Sequence, residues 1–317
     1  MSANDTRFLS SVRERFYEVD TKYDCYRAKI FSCLGCLSGD LFNFTNSIPC
    51  SSDWFPNARP ALFAILSVQD NAIMQTIMTP TLAEQRLCVY ERVVSLPSGQ
   101  YSMIASPFNS VEGKHGTEES IAFLQAFLSA FMGKMYFYTK AAEFDFFDES
   151  KISFSGRIFR LPMYADNMGI LDSKLANKLI VRLGVQQPPF RATLQRACSF
   201  LSQALDQDDE SFRFASYWVA LEVLAGKTQA IRAQLAAAYG KTPQYVDNNL
   251  LFSELSFMRH QLLHNGQFSI LRSYQERLLQ LYFWDIIIFK LGLPSRGLSR
   301  LLVESEFVKM EKQGHPE

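Results

Sequence analysis

The residues best equipped for chemistry lie in one short stretch, Phe257 to Gly266 (FMRHQLLHNG). It contains two of the chain's four histidines, His260 and His264, with Arg259 directly before the first. An arginine stabilises a phosphoryl oxyanion through charge-assisted hydrogen bonds. A histidine changes charge in the physiological pH range and works as a general acid or base. Together these are the roles needed when RNA is cleaved by its own 2′-hydroxyl, a reaction that requires no metal. The spacing supports a shared target. On a helix, five residues from Arg259 to His264 span ~7.5 Å of axis and ~140° of rotation, so the two lie on adjoining faces. His260 and His264 are four apart and share a face.

The elements that position these groups are legible from pattern. A helix over Leu250 to His264 is expected, closed by Asn265-Gly266, a C-terminal stop signal. Other helices are expected over Arg191 to Leu205, Asp209 to Leu224 (with Gly226 as its stop), Gln229 to Ala238, Ser269 to Leu293 and Leu298 to Met310. Short connections predict antiparallel packing in a bundle. Glu222 falls on the apolar stripe of the Asp209 helix, four residues after Trp218. A buried acid needs a partner, and Arg259 is the candidate it would hold in place.

Ahead of Gln187-Pro188-Pro189, a Pro-marked boundary, the pattern differs. Strands are expected over Ala61 to Val68, Ile73 to Met78, Leu87 to Ser95, Lys134 to Thr139 and Ile152 to Arg160. Helices are expected over Leu9 to Tyr17 and Thr117 to Met132, the latter with Thr117 as N-cap. The segment between Tyr17 and Pro60 reads as irregular. The fold class is therefore α+β. A mixed α+β domain over residues 1–187 precedes an all-α helical bundle over residues 188–317.

With the motif R-x4-H near the end of a helix in such a bundle, residues Phe190 to Leu293 resemble the HEPN superfamily. The preceding aromatic-rich helix, Ser211 to Gly226 (SFRFASYWVALEVLAG), is similar to the segment found before the motif in the ApeA-like type. The resemblance implies a bundle of four or five helices that forms a homodimer, with two such motifs facing across a cleft. It implies a metal-independent endoribonuclease without cofactors, of the kind found in toxin–antitoxin and antiviral defence systems, in which an antitoxin or other regulatory protein is a possible partner. Arg259 and His264 take the catalytic positions and His260 the polar position after the arginine. Asn265 is assigned to substrate binding. Some members of the superfamily are non-catalytic interaction modules, which is the alternative reading, with a partner- or ligand-binding N-terminal domain.

Two metal readings compete. His260 and His264 also form HxxxH, but Gln261 stands where a zinc protease carries its catalytic acid, and further ligands are missing. Cys33 and Cys36 have zinc-ligand spacing, flanked by Cys25 and Cys50, yet a second close pair is absent. Free cysteines are the commoner outcome, so the expectation is no metal.

Composition limits the rest. Lys+Arg and Asp+Glu number 32 each in 317 residues. Residues 185–317 carry 14 basic and 13 acidic side chains of those totals. Neither half is a basic domain, so RNA would be held by a local field and few phosphates, with salt-sensitive, weak affinity. At 48% hydrophobic and 20% charged residues the chain is no acidic disordered protein. The first twenty residues lack the apolar core of a signal peptide, which makes the cytoplasm the expected location. The most apolar run, Leu278 to Phe289, contains Gln280 and Asp285 and is too short to cross a membrane.

Overall fold

The computed structural model describes residues 25–33, 54–55, 61–69, 72–77, 86–90, 99–108, 115–132, 140–147, 152–157 and 173–313. Two compact units divide the chain, Met1–Ile180 and Val181–Glu317.

In the first unit the strands are β1 (Cys25–Cys33), β2 (Ala61–Gln69), β3 (Ala72–Ile77), β4 (Arg86–Tyr90), β5 (Gly99–Phe108), β6 (Lys140–Phe147) and β7 (Ile152–Arg157). They form one antiparallel sheet in the order β4-β3-β2-β5-β1-β6-β7. Helix α1 (His115–Met132) packs on β5 and β1. It carries an unbroken buried run from Ser120 to Ala130. Phe123 meets Trp54 and Phe55 with ring centroids 5.2 and 5.4 Å apart. Thr117 is not a cap: the helix starts two residues earlier, and the Thr117 carbonyl accepts from Ser120 Oγ at 2.8 Å. The sequence pattern assigned no element to the residues of β1 and β5. The expected helix at Leu9 to Tyr17 and strand at Lys134 to Thr139 lie outside the described residues.

Helix α2 (Ser173–Gly184) also has no counterpart in the sequence reading. The described part of the second unit continues entirely in helices: α3 (Pro188–Asp206), α4 (Glu210–Ala225), α5 (Thr228–Tyr239), α6 (Pro243–Asn249), α7 (Phe252–His260), a π turn (Gln261–Asn265), α8 (Ser273–Lys290), α9 (Leu298–Val303) and α10 (Glu306–Gln313). Pro188 and Pro189 start α3 rather than marking a linker. Proline suits the first turn of a helix, where its missing N–H has no intrahelical partner. The division of the chain accordingly falls at Ile180, seven residues before Gln187 and inside α2.

Side-chain chemistry sets the helix ends. The Asp209 carboxylate accepts from the backbone of Ser211 (2.9 Å) and Phe212 (3.0 Å), capping α4. The Ser211 hydroxyl, which donates to Asp209 Oδ1 at 2.5 Å, and then these backbone donors hold the carboxyl below its usual value. At the other end of α4, Gly226 adopts φ 97° and donates to the Glu222 carbonyl. This turn places the start of α5 beside the Glu222 side chain.

Helix α8 is the axis of the bundle, buried on all sides from Tyr274 to Ile288. It contacts α4, α5, α9 and α10. Although buried all round, α8 carries Gln275, Glu276, Arg277, Gln280 and Asp285 inside. Arg277 is 5% exposed. Gln275, Glu276, Gln280 and Asp285 each bind a neighbouring helix. Glu276 accepts from Arg213 NH1 (3.1 Å) and from the Tyr217 hydroxyl (3.0 Å), both on α4. Gln280 donates to the same Tyr217 oxygen at 2.5 Å.

Asp285 ties α8 to α5 and α9. Its Oδ2 accepts from the hydroxyls of Tyr239 and Ser299, each at 2.6 Å. Its Oδ1 is buried with no hydrogen-bond partner among the described residues. Burial pushes the Asp285 carboxyl up, against the hydrogen bonds that lower it. Below the ordinary carboxyl value of about 3.9 both the folded and unfolded chains hold this proton. Above it the unfolded chain releases the proton while the folded one retains it, so stability falls as pH rises through this window. The fall ends once the native carboxyl also ionises. Asp285→Asn removes this contribution. In urea unfolding, the stability of the variant relative to wild type is expected to rise from pH 4.5 to pH 7.5. A constant difference would place the titration elsewhere.

No helix among the described residues is long and apolar enough to cross a membrane.

Candidate functional site

Helix α7 and its π turn carry the motif, and three features set their position. Leu251, just before α7, has φ 59°, a left-handed conformation that costs a side chain of this kind ~1–2 kcal/mol. The adjacent carbonyl of Leu250 accepts from the buried Tyr282 hydroxyl of α8, which holds the bend. A line of aromatic rings then fixes α7 against α4 and α8. Phe268 lies 5.4 Å from Phe214, Phe214 stacks on Trp218 at 5.9 Å, Trp218 meets Phe252 at 5.8 Å and Phe252 meets Tyr282 at 6.1 Å. Such contacts are directional as well as apolar, so they orient the helices as well as hold them. Finally, Glu254 of α7 accepts from Tyr274 (2.5 Å) and Gln275 (2.7 Å) at the start of α8.

The expected regular helix to His264 does not occur. The α-helical pattern stops at His260, and Gln261–Asn265 winds as a π turn. Gly266, with φ 62°, closes it by donating to the Gln261 carbonyl. The left-handed conformation is why glycine stands there: a Cβ at Gly266 would meet no atom within 4 Å, so the constraint is backbone strain alone. A π turn is wider than an α turn, is rare, and often occurs at functional sites. Here it leaves the His260 and His264 rings with centroids 4.6 Å apart, tilted by 41°. Both histidines are exposed, and neither ring has a hydrogen-bond partner among the described residues.

Arg259 turns the other way, towards α4. Its NH2 group lies 3.4 Å from Glu222 Oε1, with both side chains about 30% exposed (29% and 28%). The same oxygen accepts from Trp218 Nε1 at 3.0 Å and from the Thr228 hydroxyl at the start of α5. Glu222 is thus fixed by donors from three elements: its own helix α4, α5 and α7. Arg259 Nε is buried with no partner among the described residues. The guanidinium is held by one end, and the remaining donors can receive an anion.

The structure therefore brings Arg259, Glu222, His260 and His264 into two adjoining groups on one helix and its neighbour. Asn265, assigned to substrate, is exposed and donates to Gln261 Oε1 at 2.6 Å within the π turn. Its amide supports the turn. Two residues of the site were not singled out from sequence, Thr228 and Trp218. The signal for Trp218 was present, since it precedes Glu222 by four residues on the same face. Thr228 acts across a helix break, and spacing along the chain does not reveal that.

The cysteine set behaves differently. Cys25 and Cys33 are the two ends of β1. Eight extended residues separate them by ~26 Å, so the pair does not converge on one ion. Cys36 and Cys50 lie outside the described residues. No group of three or more His, Cys, Asp or Glu suited to a metal ion occurs among the described residues. Cys198 is buried, and burial alone pushes its thiol far above the ordinary range.

Comparison of the chain with models of known families, with curated proteins and with solved structures finds no match.

Proposed function

We propose that this chain is a metal-independent endoribonuclease of the HEPN type, acting in the cytoplasm in a prokaryotic defence, stress or toxin–antitoxin setting. The observation that carries the reading is the pair of exposed imidazoles at the end of α7 and in its π turn, next to an arginine anchored at one end by Glu222. A histidine serving only structure would have its nitrogens tied to the protein. The α+β part, taken as residues 1–187, senses a signal, selects RNA or restrains the nuclease, which occupies residues 188–317.

In this mechanism His264 takes the proton from a ribose 2′-hydroxyl as the 2′-oxygen attacks phosphorus. The bond from phosphorus to the 5′-oxygen breaks, and the leaving oxygen takes up a proton. The products are a 2′,3′-cyclic phosphate and a 5′-hydroxyl, and no water is consumed. Arg259 stabilises the charge on the non-bridging oxygens. His260 orients His264 or shares its proton. In-line displacement puts the attacking and leaving oxygens on opposite sides of phosphorus. Two rings with centroids 4.6 Å apart serve one side. The other side then falls to the motif of a second copy in a homodimer.

The direct test is incubation of the purified chain with RNA in EDTA. Cleavage with cyclic phosphate ends is expected. Intact RNA at high enzyme concentration would refute the assignment. Glu222 supplies a second test. Its ion pair with Arg259 is partly solvated and adds little stability, so Glu222→Gln, which keeps an acceptor oxygen for Trp218 and Thr228, should leave the melting temperature within a few degrees. It should lower kcat by about 10- to 100-fold, because a misplaced guanidinium loses its transition-state contact. KM should change little. An unchanged kcat would remove Glu222 from the site.

A further inference from the structure

We infer that α10 is a salt-sensitive latch on the motif helix: it fixes α7 through Glu254, and its release frees the segment that carries Arg259, His260 and His264. The consequence for catalysis rests on the proposed nuclease reading, whereas the mechanical coupling does not.

Glu254 stands in the first turn of α7, and Arg259 and His260 stand in the last. Its carboxylate is held from two sides. Oε1 accepts from the Tyr274 hydroxyl and from Gln275 Nε2, both at the start of α8. Oε2 lies 3.5 Å from Lys312 Nζ of α10. Glu311, the residue before, accepts from the Tyr274 backbone N–H at 3.1 Å. That N–H is among the first four of α8, which find no partner inside their own helix. The Lys312 ammonium also stands 5.6 Å from the centroid of the Tyr274 ring. Tyr274 is buried, and it is gripped at its N–H by Glu311, at its ring by Lys312 and at its hydroxyl by Glu254. Two successive residues of α10 thus join the starts of α7 and α8.

This grip opens easily. Helix α10 has eight residues, and Val308 is the only buried one among its described side chains. Phe307 and Met310 of the same helix are exposed. The Lys312 and Glu254 side chains are 40% and 31% exposed, so salt screens their attraction. A segment with few buried apolar contacts and solvated polar ones opens locally far more often than the whole unit unfolds. The helix it holds is stiff by comparison. The nine residues of α7 span ~13 Å and are entered by the left-handed turn at Leu251. So short a helix moves as one body, and a tilt at Glu254 displaces Arg259 and His260 at its other end. A shift of ~1 Å in reacting groups costs about 10²-fold in rate.

The test is hydrogen exchange of the full chain, read by mass spectrometry on peptides from α7 with its π turn, from α10, and from α3 as a reference. It is run at ~0.01 M and ~1 M salt, between which the screening length falls from ~30 Å to ~3 Å. In wild type, α7 should exchange about 1.5- to 5-fold faster at high salt, the range of one partly exposed ion pair. Lys312→Met keeps the stem and removes the charge. At low salt it should match wild type at high salt, and its own salt response should vanish. Val308→Asp puts a charge beneath α10 and undocks it, so exchange in α7 should rise by at least about 10-fold. The α3 peptides should exchange as in wild type. On RNA, kcat should fall in the same order as α7 loosens, with KM little changed.

Faster exchange confined to α10, or a salt response in Lys312→Met equal to that of wild type, overturns the latch. Where Val308→Asp also loosens α3, the exposed Lys312→Met carries the decision. Faster exchange in α7 with RNA left intact by every form keeps the latch and removes the nuclease. Cleavage by Val308→Asp at the wild-type rate, with α7 loosened, overturns the consequence for catalysis and leaves α10 a support of the fold.

Discussion

Replacing His264 by alanine is expected to reduce RNA cleavage by about 10²- to 10⁴-fold, the range supplied by a positioned general acid or base. The effect should lie in kcat and should persist in EDTA. The protein should remain folded: His264 is exposed and has no hydrogen-bond partner among the described residues, so its truncation belongs with surface changes of about 0.5 kcal/mol or less. That separation is the value of the variant, because a loss of activity without a loss of melting temperature assigns chemistry to the imidazole. Arg259→Ala should cost about 10²–10³ in kcat by the loss of oxyanion stabilisation. Arg259→Lys should not restore it, since an ammonium cannot keep Glu222 on one side while offering a planar pair of donors to phosphate on the other. The double variant should be little worse than the more severe single one, as expected of groups acting on the same step. His264→Ala cleaving at the wild-type rate would end the ribonuclease reading of this motif.

The second large effect concerns the fold. Glu276→Ala is expected to destabilise the helical unit by about 3–5 kcal/mol, which corresponds to a fall of about 10–20 °C in the thermal midpoint. Glu276 is 6% exposed on α8 and pairs at 3.1 Å with Arg213, whose own side chain is 15% exposed. Removing it takes the opposing charge from a guanidinium that water reaches poorly. The Tyr217 hydroxyl also loses its acceptor. Burial, and then the Glu276 carboxylate, hold that hydroxyl well above its usual range, so it remains a donor with nowhere to donate. Replacing both partners with apolar residues, Arg213→Met with Glu276→Leu, should recover most of the loss, because no uncompensated charge remains. Thermal unfolding of the two variants side by side measures this. A single variant as stable as wild type would mean that water reaches Arg213 freely.

These two experiments act on different levels of the same unit. The Glu276 network fixes α4 against α8, and the aromatic line from Phe214 through Trp218 and Phe252 carries that placement to α7. Glu222, one turn beyond Trp218, then sets the guanidinium of Arg259. The catalytic proposal depends on this chain of contacts. A variant that loosened α4, such as Glu276→Ala, should therefore also reduce cleavage at temperatures well below its midpoint.

Much of this was readable from the order of residues. Helix starts and stops depend on local chemistry. An aspartate at position 209 and glycines at 226, 240 and 266 mark helix ends wherever the chain is placed. The spacing of Arg259, His260 and His264 and the heptad-like position of Glu222 are local in the same sense. The polar residues within α8 were less legible. Helical spacing shows Arg277 and Glu276 as a charged face, which in a peripheral helix would be solvated. Only packing α8 among α4, α5, α9 and α10 puts those charges inside and requires partners for them.

The site shows the same division. Residue types and spacing by themselves determined that an arginine and two histidines share a short helical segment ended by glycine. They also determined that the part of the chain holding it carries no excess of basic residues. Tertiary structure alone decided that Glu222 reaches Arg259 from another helix, that Thr228 completes its hydrogen bonding across a break between helices, and that the last turn widens into a π turn. The physical reason is range. Capping and helical neighbours act within about one turn, whereas the partner of a half-buried charge is set by which helix surfaces meet, and that depends on the whole core.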